Sequence, residues 1–229
     1  MLYSTLLSFA ALAGFTVASS GGGMQIVVKN QCDYDLTVSK LTNKESTGTS
    51  DKVSQGSSKT YDLPENWQGR FFGRNGCSGN DCKVAGGDSP ASLAEFTFRG
   101  AGGNDFYDLS FVDGFNLPIE IVPINGKGGA SGSDKYNCGK PSCPTVPSCP
   151  DDMKLTSNGK FVGCQSACSK YGTDEYCCTG SHNTPDKCSP NSYSKAVKDD
   201  CPSAYSYAYD DSTSTYSCVA EGYNVVFCP

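Results

Sequence analysis

Fourteen cysteines in a chain of 229 residues, beside a single histidine, limit this fold more than any other feature. That many thiols held reduced would stand exposed to oxidation. An exported chain pairs them, and an even count closes seven bridges with none left over. The opening segment agrees: Leu6 to Val17 is an apolar run of signal-peptide length, followed by the small residues Ala18, Ser19 and Ser20. The run is too short to span a bilayer, and no later segment approaches the necessary length. Residues 1–18 are therefore expected to be a signal peptide. Residues 19–229 are expected to form a secreted protein, extracellular or in a cell wall, with no stable membrane insertion.

The part after the leader is long enough for a real hydrophobic core, so the bridges reinforce a fold rather than replace one. Composition points to β structure, with 13 Tyr, 11 Phe, 26 Gly and 12 Pro against only 3 Met. A net charge of −6 argues against nucleic acid or anionic membrane as a partner.

Strand signals fill the first two-thirds. Met24, Ile26 and Val28 alternate with Gln25, Val27 and Lys29. Ser46 to Lys59 is polar and reads as a surface loop. Arg70, Phe72 and Arg74 fall on one face of a further strand. Phe96 and Phe98 face a core while Glu95, Thr97 and Arg99 face away, and Tyr107, Leu109 and Phe111 repeat the pattern against Asp108 and Ser110. Phe115, Leu117, Ile119 and Ile121 extend the apolar face. Hairpins around one core predict a mainly β sandwich. From Gly126 the texture changes to Gly, Ser, Pro and Cys, and eleven of the fourteen cysteines follow. Helical spacing appears there: Cys164, Ala167, Cys168 and Tyr171 predict one short helix. Ser189-Pro190 predicts the start of another, with Tyr193, Ala196 and Val197 as its buried stripe.

Leu93-Ala94-Glu95-Phe96 and the run from Phe106 to Pro118 resemble the thaumatin-like proteins, the pathogenesis-related family 5 that includes osmotin. Tyr176-Cys177-Cys178-Thr179, Cys201 to Tyr207, Asp210 to Thr215 and the close Tyr223 to Pro229 carry the same resemblance, from about Met24 to the last residue. It implies a flattened β-sandwich (about 24–125 plus a C-terminal strand) and a disulfide-rich lobe with short helices (about 126–218), with a cleft between them. It also implies the pairs Cys32–Cys228, Cys77–Cys82, Cys138–Cys218, Cys143–Cys201, Cys149–Cys164, Cys168–Cys177 and Cys178–Cys188, which spacing alone does not choose. The family pattern has four cysteines between the arginine strand and Leu93. Here there are two, Cys77 and Cys82, so cleft contacts from that loop do not carry over.

Five positions match the family's charged cleft: Arg74, Glu95, Asp108, Asp113 and Asp210, with Asp211 an alternative to the last. The residues alone place Glu95 and Asp108 on the outward face of their strands, and Asp113-Gly114 reads as a turn that redirects a side chain. Cleaving a glycosidic bond needs one carboxyl as proton donor and a second as base or nucleophile. Glu95 and Asp108 are the pair for that role. Outward carboxylates on a β surface can equally do nothing but hold water. His182, the lone histidine, reads as a loop residue, which leaves no Ser-His-Asp or Cys-His device. With the thiols committed to bridges no metal site is expected, and no cofactor. Trp67, Tyr205, Tyr207 and Tyr209 would stack on sugar rings if exposed, though core packing is the commoner use.

The resemblance implies a secreted β-1,3-glucan-binding protein, monomeric, with an acidic cleft. If the cleft turns substrate over, it does so as an endo-β-1,3-glucanase. Two other readings stay open: an antifungal or defence protein acting on membranes or receptors, and an inhibitor of another secreted enzyme. The acidic charge counts against attraction to anionic lipid.

Overall fold

A computed structural model describes residues 23–129 and 135–229. The leader expected over 1–18 lies outside them. In chain order the first strands are β1 (Gly23–Asn30), β2 (Leu36–Thr42), β3 (Thr49–Val53), β4 (Ser58–Pro64), β5 (Gln68–Arg74), β6 (Leu93–Thr97) and β7 (Asp105–Ser110). They continue with β8 (Ile119–Ile124), β9 (Ser142–Cys143), β10 (Lys154–Ser157), β11 (Lys160–Cys164), β12 (Ala204–Tyr205), β13 (Tyr216–Cys218) and β14 (Gly222–Phe227). The α-helices are α1 (Ala167–Tyr171), α2 (Asp174–Cys177), α3 (Ser192–Asp200) and α4 (Asp211–Ser214).

Two sheets face each other. One runs β4-β1-β14-β8-β9, and the other runs β12-β7-β6-β5-β2-β3 with β13 also on the edge of β7. The alternation in the sequence explains the sandwich. Met24, Ile26 and Val28 of β1 are buried, as are Ile119 and Ile121 of β8, and all join one core with Phe71, Phe96, Tyr107 and Leu109 of the opposite sheet. Aromatic rings bridge the layers: Tyr223 of β14 lies 5.3 Å from Phe96 and 4.9 Å from Tyr107, centroid to centroid. Such ring pairs add about 0.5–1.5 kcal/mol each beyond the area they bury. Trp67 belongs to this core and is not available to a sugar.

The stretch Ser46 to Lys59, expected as a loop, instead contains β3 and the start of β4. Each is the outermost strand of its sheet. Edge strands tolerate polar residues because one side of each meets water, which hides them from a hydrophobicity pattern.

Between Gly126 and Cys218 the chain is held differently. Bridges join Cys138–Cys218, Cys143–Cys201, Cys149–Cys164, Cys168–Cys177 and Cys178–Cys188, while Cys32–Cys228 and Cys77–Cys82 lie in or beside the sandwich. The helix expected from Cys164 begins only at Ala167, because Cys164 ends β11; Ser166 caps it by accepting from the backbone N–H of Ser169. Similarly, α3 is capped not by Ser189 but by Asn191, whose side chain accepts from the N–H of Ser194. Tyr193 and Val197 of α3 are half-buried, but Ala196 is exposed, so the buried stripe is narrower than the spacing suggested.

Candidate functional site

The outer face of the larger sheet carries a row of charged side chains. Arg70 of β5 pairs across the ladder with Glu95 of β6, and Glu95 pairs with Asp108 of β7. Three charged residues on adjacent strands therefore stand in one row. Residues directly opposite in an antiparallel pair have Cβ atoms about 4.5–5.5 Å apart, so the two carboxyl groups share a small volume.

Asp113 joins from the turn after β7. Gly114 makes that turn with φ 88°, and a Cβ there would meet the carbonyl oxygen of Cys164 and the ring of Pro90. Only glycine fits such a close approach at positive φ. The turn swings Asp113 onto the row, where its Oδ2 lies 3.3 Å from Nη1 of Arg70; Glu95 Oε1 lies 3.6 Å from the same nitrogen. Tyr205 and Ala208 close the far wall, leaving a groove of about 240 Å³. The Tyr205 hydroxyl donates to Asp211 Oδ1 at 2.9 Å, which sets that carboxylate beside the groove.

Burial raises the Asp108 carboxyl well above the ordinary aspartate range, and the charges of Glu95 and Asp211 push it further. Its Oδ1 is buried without a hydrogen-bond partner, which disfavours the ionised form for the same reason. Burial also raises Glu95, with Arg70 pulling against it, and the same two influences act on Asp113. Both carboxyls are thus biased toward their protonated forms, Asp108 the more strongly, and of the two only Glu95 has the Arg70 guanidinium pulling the other way. A carboxyl that burial biases toward its proton, beside one that a guanidinium helps to ionise, can divide acid and base roles.

Two of the expected cleft residues stand elsewhere. Arg74 is on the same strand face as Arg70, as alternation required, but it is buried and does not reach the carboxylates. The loop between β5 and β6 folds over it, and its guanidinium donates to the carbonyl oxygens of Pro90, Val84 and Ser89. Burial brings its pKa down to about 10. Arg70, two residues earlier, is the arginine of the groove. Asp210 is likewise buried and spent on structure: it meets Lys198 Nζ at 3.0 Å and accepts from the backbone and hydroxyl of Ser206 and from Thr213. Asp211 is the residue of that pair whose charge reaches Asp108. Strand alternation held the signal for Arg70, since it faces the same way as Glu95.

The shortened loop is not splayed open. The Ser39 hydroxyl donates to the carbonyl of Cys82, and Gly86 packs against the Asp113 carboxyl, where a Cβ would lie 3.2 Å away. His182 lies in the loop closed by Cys178–Cys188, bonded to the neighbouring Ser181 hydroxyl. Among the described residues no cluster of His, Cys, Asp and Glu is arranged to hold a metal ion, and no helix is long and apolar enough to cross a membrane.

The profile of the thaumatin family matches residues 30–229. The chain is 38% identical over 246 residues to pathogenesis-related thaumatin-like protein 3.5 of Cryptomeria japonica, covering 97% of this chain and 98% of the relative. It is 37% identical over 254 residues to a glucan endo-1,3-beta-glucosidase of Prunus avium, covering 100% of both. Among solved structures, a laminaripentaose-producing beta-1,3-glucanase in complex with laminaritetraose superposes with a TM-score of 0.61 at 10% identity, over 92% of this chain and 99% of that one. At that identity the likeness is one of fold alone.

Proposed function

This chain belongs to the thaumatin family, and from that membership together with its charged groove we propose that it is a secreted protein that binds β-1,3-glucan at Arg70, Glu95, Asp108 and Asp113. The in-register row of Arg70, Glu95 and Asp108 carries the reading. Sugar hydroxyls both donate and accept. The groove answers with a guanidinium that donates and carboxyls that accept, and Asp108 donates as well when it holds its proton. The full-length similarity to a glucan endo-1,3-beta-glucosidase supports the polymer class. The complete pairing of the thiols suits an oxidising compartment and supports the reading of an exported protein.

Turnover is slow. Cross-strand pairing sets the Cβ atoms of Glu95 and Asp108 about 4.5–5.5 Å apart, close enough for the two carboxyls to act on one bond, with Asp108 as proton donor and Glu95 as nucleophile. Burial raises Glu95 as well as Asp108, which weakens Glu95 as an ionised nucleophile and costs rate more than affinity. Retention on insoluble β-1,3-glucan tests the binding. The Glu95→Gln, Asp108→Asn double variant should lose about 1–3 kcal/mol of affinity. Unchanged retention would move the site elsewhere. Reducing-end release should be slow and should vanish in the same variant; fast release by the native protein would refute the weak-turnover part alone.

A further inference from the structure

A second cavity, about 490 Å³ and twice the size of the groove, lies between the sandwich and the lobe. Phe111, Phe115, Met153, Tyr176, Tyr193 and Val197 contribute to its wall, and no charged side chain lines it. Phe111, Phe115 and Met153 are fully buried at its base. Its size and composition are those of a dedicated ligand pocket, mainly apolar and aromatic with a few polar groups. Gln165, Ser166, Asn191 and Ser206 supply the latter.

The cavity and the groove are neighbours. Val112 and Ala208 line both. Along the chain, Phe111 lines the cavity, Val112 both, and Asp113 the groove. In the facing segment Tyr205 lines the groove, Ser206 and Tyr207 the cavity, and Ala208 both. Two short segments therefore divide a charged compartment from an apolar one, with a single residue on each side as the partition. A purely polar sugar gains nothing from the larger compartment, and a purely apolar molecule gains nothing from the smaller.

We propose that the two compartments form one site for an amphiphilic glycoside, with its sugar on the row of Arg70, Glu95 and Asp108 and its apolar aglycone in the cavity beyond Val112 and Ala208. The proposal rests on the sugar-binding reading of the groove and adds the ligand class that fills the rest.

Affinity for two probes of equal sugar length tests it: a β-1,3-linked glucose tetrasaccharide with a methyl group at its reducing end, and the same sugar with an octyl group, used below its micelle concentration. Burying the extra methylenes should make the octyl probe bind at least about tenfold tighter. The Ala196→Trp variant, altered at an exposed position of α3 that lines only the cavity, should abolish that advantage and leave methyl-probe binding unchanged. Equal binding of both probes by the native protein would overturn the proposal while leaving the sugar-binding groove intact. Failure of both probes to bind would overturn the groove reading and the proposal with it. Tight octyl binding insensitive to Glu95→Gln, Asp108→Asn would make the cavity an independent apolar site and refute the joint one.

Discussion

The sandwich and the lobe reach order by different means. The largest fully buried side chains, among them Phe71, Phe98, Tyr107, Tyr216 and Tyr223, all lie in or next to strands of the two facing sheets. In the sandwich, one large core and continuous ladder pairing support the fold. The lobe has helices of four to nine residues, too short to persist alone in water, and five of the bridges hold it. A burial-driven region loses its structure all at once, whereas a region of short cross-linked loops can open piece by piece. The groove draws its charged row from the first region and its far wall from the second. Its carboxylates are therefore rigidly placed, while the wall that covers them is held by covalent bonds.

The contrast fails or sharpens on bridge removal, which has the largest expected effect. Cys32–Cys228 spans a sequence separation of 196, and replacing both residues by Ala should cost about 5 kcal/mol in the chain-entropy account, as a shift of the whole denaturant transition. Cys178–Cys188 spans only 10. Its loss, about 3 kcal/mol by the same account, should speed hydrogen exchange over residues 174–188 and leave β5, β6 and β7 protected. Equal acceleration in those strands would mean that the two regions unfold as one, and the contrast would be void.

Core truncation comes next. Phe71 is fully buried in the sandwich, and Phe71→Ala should lower stability by about 3–5 kcal/mol. Val197→Ala, at a half-buried position of α3, should cost about 1 kcal/mol or less. Chemical denaturation of the two variants side by side reads the difference.

The smallest effect is at the groove and has the opposite sign. Native Asp108 holds its proton above the ordinary aspartate value of 3.8. The unfolded chain therefore ionises this group first, and stability falls as pH rises from that value through the raised one. Below pH 3.8 the contribution is fully present. Asp108→Asn does not ionise, so the variant should be more stable than the native protein at neutral pH. That advantage should fade on acidification to below pH 4. Thermal denaturation across that range would check it, and a destabilised variant at neutral pH would mean that the ionised carboxylate is held by contacts not yet recognised.

How far the sequence could be read follows the same division. β6 and β7 were plain because one face is aromatic and the other polar, and Glu95 and Asp108 came with them. Arg74 and Arg70 face the same way in β5, and alternation cannot choose between them. The choice is made by a loop whose carbonyl oxygens close over Arg74, a contact between distant residues that leaves no period in the sequence. Asp210 and Asp211 differ by one position at the start of a four-residue helix, where no pattern is long enough to fix a direction. The family resemblance supplied residue types at matching positions. It did not supply which of two adjacent side chains is turned inward by Lys198.

The position of β14 sets an order in time. It lies between β1, with which it pairs in parallel, and β8, with which it pairs antiparallel. Until residues 222–227 leave the ribosome, β1 and β8 each lack a neighbour, and the smaller sheet stays in two halves. The pairs β4-β1 and β8-β9 therefore wait for β14 before they join into one sheet. Pairing between such distant segments is slow, because loop closure comes before any contact is gained. The larger sheet is under no such constraint, because β2, β5, β6 and β7 pair among themselves and none of them pairs with β14.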